Sequence, residues 1–128
     1  MDLERVQAIQ LNAQKCEVAH YQLVQKLNDL GSYVCFLQEP YKYKGKLANV
    51  PVNATAIPSK EVEGGPRAAI IASSNIGIIE VNALSHRDCA VGIIPGRDGN
   101  QAILVASVYL DITRPVAQKF FYRPAAIY

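Results

Sequence analysis

Residues 5–40, RVQAIQLNAQKCEVAHYQLVQKLNDLGSYVCFLQEP, decide how this chain folds. Residues 5–11 mix β-branched and polar types and suit a short strand. Asn12 follows as a candidate helix N-cap. Cys16, Ala19, Leu23, Leu27 and Leu30 then recur at spacings of three and four, which marks one apolar helical face. Lys15, Gln22, Gln25, Lys26 and Asp29 fall largely on the other face, and Gly31 supplies a left-handed stop. Residues 33–38 (YVCFLQ) form a near-continuous apolar run, as expected of a strand covered on both faces, and Pro40 keeps it short. Strand, helix and strand with short connections predict a βαβ unit with parallel strands and a right-handed crossover.

Outward from this unit, residues 40–66 read as loop, punctuated by Pro40, Pro51, Pro58, Gly64, Gly65 and Pro66. Strand patterns return at 67–73, 76–82, 88–94 and 101–110, the last two joined by a glycine-rich hairpin turn over 95–100. No internal repeat or low-complexity stretch interrupts them. Residues 116–128 hold aromatics and a proline without a clear period, so their relation to the fold stays open.

Size and composition narrow the choices. A chain of 128 residues supports one core, and a hydrophobic content of 50% excludes a disordered class. The net charge of +2 is too small to argue for nucleic acid by itself, so any phosphate contact must come from a local cluster. Cys16, Cys35 and Cys89 make no CxxC pair, which speaks against zinc, and with no secretory leader against a disulfide framework. No apolar run approaches the roughly 20 residues that span a bilayer. The expectation is an intracellular chain, nuclear or cytoplasmic, neither secreted nor bound to membrane.

Parallel strands bring their C-terminal ends to one sheet edge, where ligands tend to bind. Asn12 and Glu39 end the first and second strands and should meet there. A carboxylate beside a carboxamide suits Mg²⁺ or Mn²⁺, which prefer oxygen ligands and keep several waters. The plainer alternative has Asn12 capping the helix and Glu39 merely solvated. Tyr109 ends the strand over 101–110, where its hydroxyl could meet a phosphate or simply form the wet tip of a core side chain; Asp111 reads as a turn residue. Tyr41, Lys42, Tyr43, Lys44 and Lys46 interleave cations and aromatics just after Glu39, which suits either phosphate contact or a solvated loop. His86, Arg87 and Asp88 make a kinase-like triplet without the downstream motifs, and coincidence explains it.

Taken together, Gln10-Leu11-Asn12, the helix, Phe36-Leu37-Gln38-Glu39-Pro40-Tyr41, Arg67-Ala68-Ala69-Ile70-Ile71 and Val105-Ala106-Ser107-Val108-Tyr109-Leu110-Asp111 resemble the endonuclease domain of non-LTR retrotransposons. That domain belongs to the exonuclease–endonuclease–phosphatase superfamily, which includes the apurinic-site endonucleases. The resemblance runs from residue 5 to about 116. It divides the chain into a partial endonuclease-like domain over 1–116 and a divergent tail over 117–128.

The resemblance implies an α+β fold, the N-terminal portion of a four-layer α/β-sandwich in which two packed mixed sheets are flanked by helices. It implies that Glu39 binds the divalent metal, Mg²⁺ or Mn²⁺, and that Asn12 helps hold the metal-binding carboxylates and the phosphate. It also implies that the Tyr109 hydroxyl contacts the scissile phosphate. Tyr41, Lys42 and Lys44 would face double-stranded DNA, which the family nicks to prime reverse transcription. The family's later Gly-Asp-x-Asn and Ser-Asp-His elements do not occur in these 128 residues. The expectation is a truncated domain, inactive alone, because a catalytic constellation that acts as a unit loses orders of magnitude when parts are missing. Loss of most of the second sheet would leave the first poorly covered. The alternative is a non-catalytic interaction module or remnant that associates with itself, or with the missing C-terminal half, through its exposed sheet.

Overall fold

The computed structural model describes residues 5–60 and 64–110. Strand β1 (Gln7–Asn12), helix α1 (Glu17–Asn28) and strand β2 (Tyr33–Gln38) form the expected unit, with β1 and β2 parallel from Gln7↔Tyr33 to Asn12↔Gln38. The hairpin β3 (Lys42–Tyr43) and β4 (Lys46–Leu47) follows, then β5 (Ala54–Pro58) and β6 (Ala68–Ser73). Strands β7 (Ile79–Glu80), β8 (Cys89–Ile94) and β9 (Ile103–Val108) complete the described elements. The first sheet is mixed, in the order β1-β2-β6-β5, and β7-β8-β9 form an antiparallel second sheet. The fold is α+β, as the motifs imply.

Alternation along β2 builds two cores from one apolar run. Tyr33, Cys35 and Leu37 face α1, where they meet Ala13, Leu23, Leu27 and Ile71. Val34 and Phe36 face the second sheet and pack with Ile57, Ile70, Ala72, Ile76, Ile78, Ala90 and Ile94. Helix, mixed sheet and antiparallel sheet thus stack as three layers. Contrary to the expectation of a poorly covered first sheet, β8 and β9 pack on it. Gly92 permits the close approach, since a Cβ there would lie 2.9 Å from Ile78 Cδ1 and 3.1 Å from Ile57 Cδ1.

Five local expectations need correction. Cys16, not Asn12, is the residue before the helix, and the helix has no side-chain cap there. Its buried face is His20, Leu23, Val24 and Leu27, and Cys16 lies exposed. The helix ends through Asp29 in a right-handed conformation, closed by tight bonds from Asp29 N to Lys26 O and Leu30 N to Leu27 O, and not through a left-handed Gly31. The span 40–66 is not all loop: β5 pairs with β6 from Ala54↔Ser73 to Pro58↔Ala69, an edge position that tolerates its proline. In the span 76–82 only Ile79–Glu80 is strand, because Gly77 at φ +71 turns the chain first.

Tail residues 117–128, Asp111 and the end of the 1–116 segment lie outside the described residues. Among the described residues no helix is long and apolar enough to cross a membrane.

Candidate phosphate-binding rim

The topology delivers six polar residues to one rim. Asn12 closes β1 and pairs in register with Gln38, the last residue of β2. Glu39 comes next, and its backbone is held from both sides: its N–H donates to Arg67 O at 2.9 Å, and its carbonyl accepts from Lys15 N at 2.8 Å. Because β6 runs antiparallel to β2, its start arrives where β2 ends, and this sets Arg67 beside Glu39. Tyr109 follows β9 directly, and its N–H donates to Asp88 O at 2.7 Å. The Arg67 guanidinium carbon lies 5.7 Å from the Tyr109 ring centroid, in cation–π range. Arg67 Nη1 is also 3.4 Å from Oδ1 of Asp88, which is fully buried. The chain of contacts therefore runs Asn12, Gln38–Glu39, Arg67, Tyr109 and Asp88.

The backbone at this rim is strained. Gln14, Lys15 and Glu39 have φ of 52°, 59° and 47°, left-handed values that side chains with a Cβ adopt at a cost. Asn12 eases the first, its Oδ1 accepting from Gln14 N at 2.9 Å. Such residues concentrate at functional sites, where surrounding structure over-determines them. Here the Lys15–Glu39 bond ties the two strained loops together.

Behind the rim, a polar chain crosses both sheets. Gln10 Nε2 donates to Gln38 Oε1, Gln38 Nε2 donates to Ser107 Oγ at 3.0 Å, and Ser107 Oγ donates to Leu37 O at 2.9 Å. Gln38 and Ser107 are buried, and the two bonds of Ser107 fix how β9, carrying Tyr109, sits against β2, carrying Glu39.

The basic segment divides. The Tyr41 N–H donates to His20 Nδ1 at 3.1 Å, and the Tyr41 ring lies 6.4 Å from that of Tyr21. A hydrogen bond and the negative charge of Glu17 raise the Tyr41 hydroxyl pKa, so the helix engages this side chain. Lys42 turns toward the rim: burial first, then the like charges of Lys15 and Arg67, lower its pKa against the opposing pull of Glu39. Lys44 stands exposed in the hairpin turn at φ 52°, its Nζ 5.4 Å from the Tyr43 ring centroid. The six expected site residues thus separate into a rim set (Asn12, Glu39, Tyr109 and Lys42) and two others, Tyr41 and Lys44, with local partners.

Arg67, Asp88 and Lys15 were not expected as site residues. The available signal was modest. Arg67 opens an apolar strand run, and an antiparallel neighbour of β2 must begin where β2 ends. Without the pairing, that inference has no starting point.

For a hard cation, Glu39 offers a carboxylate and Asn12 an amide oxygen that already accepts one hydrogen bond. Among the described residues no group of three His, Cys, Asp or Glu side chains clusters as a metal cage. Mg²⁺ is commonly held by one or two carboxylates with water and substrate phosphates, so this oxygen donor set fits a weak site built around Glu39.

No protein-family model matches the chain, and comparison with curated proteins finds no match. Among solved structures, the chain is similar to the endonuclease domain of TRAS1, a telomere-specific non-LTR retrotransposon, with a TM-score of 0.67 and 21% identity. The match covers 86% of this chain and 47% of that one. The chain therefore spans about half the length of the structure it resembles, and the two share a fold over that half.

Proposed function

We propose that this chain is part of a metal-dependent DNA endonuclease domain of the retrotransposon type. The observation that carries the reading is the convergence of Asn12, Glu39 and Tyr109 at one rim, at the ends of β1, β2 and β9, within a fold shared with the TRAS1 domain. Glu39 holds Mg²⁺ or Mn²⁺. Asn12 steadies the carboxylate and the phosphate, and the Tyr109 hydroxyl donates to a phosphate oxygen. Tyr41, Lys42 and Lys44 lie along the path of double-stranded DNA. A bound ion would supply neutralisation of charge on the phosphate and leaving oxygen. The substrate places the chain inside the cell, in nucleus or cytoplasm.

The 128-residue chain is expected to lack nicking activity by itself, because the Gly-Asp-x-Asn and Ser-Asp-His elements do not occur in it. Two measurements test this reading. Calorimetric titration with Mn²⁺ should give one weak site that Glu39→Ala removes; heat unchanged in the variant refutes the role of Glu39. Supercoiled plasmid in Mg²⁺ should stay intact with the wild-type chain. Nicking that Glu39→Ala abolishes would show the chain sufficient for catalysis.

A second reading, a non-catalytic module that pairs with a further chain, has one observation in its favour. Strands β7 and β9 are the edges of the second sheet among the described residues; Ile79 on β7, Ile103 on β9 and Leu110 just beyond it are 57%, 44% and 55% exposed. Light scattering after size-exclusion chromatography separates the two readings: a monomer at all concentrations excludes self-pairing.

A further inference from the structure

Three residues that carry cations flank Glu39 from three different elements, and the charge of Lys42 feels the other two as well as Glu39. Lys15 reaches it from the loop after β1, through the backbone bond of 2.8 Å to the Glu39 carbonyl. Arg67 flanks it from the start of β6, where its carbonyl accepts the Glu39 N–H at 2.9 Å. Lys42 comes from β3, its stem laid over Gly65. A Cβ at Gly65, which has φ +91, would lie 2.8 Å from Lys42 Cδ and 2.6 Å from Gly45 O. Glycine is thus what leaves room for the lysine stem to reach the rim.

This arrangement is costly without a ligand. Exposed lysines ordinarily spread apart to stay hydrated and to avoid like charge. Here Lys42 is partly desolvated and placed against two other cations, so that its charged form is disfavoured. Glu39 supplies one countercharge and Asp88, paired with Arg67, a second. Arg87 Nε, 3.7 Å from the same Asp88 oxygen, shares that countercharge, so the cations here outnumber the carboxylates, as an anion site requires.

We propose that Lys15, Lys42 and Arg67 form an anion subsite beside Glu39 that grips one phosphate of a nucleic-acid backbone. Lys15 and Lys42 contact the phosphate oxygens as point charges. Arg67, anchored by Asp88 and stacked on Tyr109, positions that ring and adds its field. The subsite deepens the nuclease reading and rests on it for the identity of the ligand, but it needs no metal to act.

The test is fluorescence anisotropy of a short labelled DNA duplex with the full chain, in EDTA, over a series of KCl concentrations. In Lys15→Gln and Lys42→Gln the affinity should fall roughly three- to tenfold, and the slope of log K against log salt should become shallower by about one. Lys26→Gln, a change on the exposed face of α1, should match wild type. Arg67→Lys keeps a charge but loses the planar stack, so it should weaken binding with an unchanged salt slope. Wild-type affinity and slope in both Lys15→Gln and Lys42→Gln overturn the subsite. If those variants bind duplex like wild type while Glu39→Ala loses Mn²⁺, the subsite fails and the nuclease reading survives. If the wild-type chain ignores duplex yet binds inorganic phosphate in a way that depends on Lys15 and Lys42, the anion subsite stands and the nucleic-acid reading falls.

Discussion

Glu39 concentrates the cost of the site in one residue. Its left-handed φ of 47° is one that glycine adopts freely and that a side chain with a Cβ adopts at about 1–2 kcal/mol. Glu39→Gly should therefore be more stable to urea than Glu39→Ala by about 1 kcal/mol, with both variants losing the proposed metal site. Equal midpoints would mean the backbone there carries no strain. The cysteines give a second residue-scale prediction. Burial pushes the Cys35 thiol up to about 12 and, with the charge of Asp88 adding to it, the Cys89 thiol to about 11, whereas Cys16 is exposed. A thiolate-selective reagent at neutral pH should label one cysteine in the native chain and all three in denaturant. Both buried thiols have folded-state values above the ordinary 9.0. Their contribution to stability is therefore fully present below pH 9 and lost as pH rises toward 11 and 12, and thermal melts should show that decline.

At the scale of elements, His20 is the joint between helix α1 and the segment that follows Glu39. It is fully buried; its Nδ1 accepts from Tyr41 N at 3.1 Å and its Nε2 donates to Asn49 O at 2.8 Å. These partners fix the tautomer. The periodicity of α1 marks Leu23 and Leu27 as core but gives no reason to bury a histidine. That reason lies 20 and more residues away, in two backbone groups that would otherwise lack partners. His20→Phe keeps the ring volume and removes both bonds, so it should cost about 1–3 kcal/mol for each group left unsatisfied. Hydrogen exchange at the Tyr41 amide should accelerate with it. Protection equal to wild type would show that the hairpin holds without the histidine.

The whole molecule depends on the fit between its two sheets. Gly92 and the small residues Ala72 and Ala90 let β8 approach β6, and Ser107 bridges the layers to Leu37 and Gln38. Gly92→Val would press two methyl-bearing branches into Ile57 and Ile78 and should destabilise the fold by about 1–3 kcal/mol. Because the same inter-sheet fit sets Tyr109 beside Arg67 and Glu39, that variant should also weaken Mn²⁺ binding, although residue 92 is on a different strand from all three. Unaltered binding at reduced stability would mean the rim is organised locally, without the sheet packing behind it.

The sequence alone determined the βαβ unit, three of the four later strand regions and the placing of Asn12 and Glu39 at the ends of neighbouring parallel strands. All of these follow from local periodicity and from the rule that parallel neighbours end on the same side. It could not determine β5, whose five residues and terminal proline look like loop until β6 supplies a partner for the edge. Nor could it identify Arg67, Lys15 or Asp88, because antiparallel pairing sets the first and last residues of different strands side by side at positions that spacing does not encode. Charges are placed by register and turn geometry. Apolar runs are read directly from the order of residues, and that difference is why the cores were legible and, of the cationic rim, only Lys42 was.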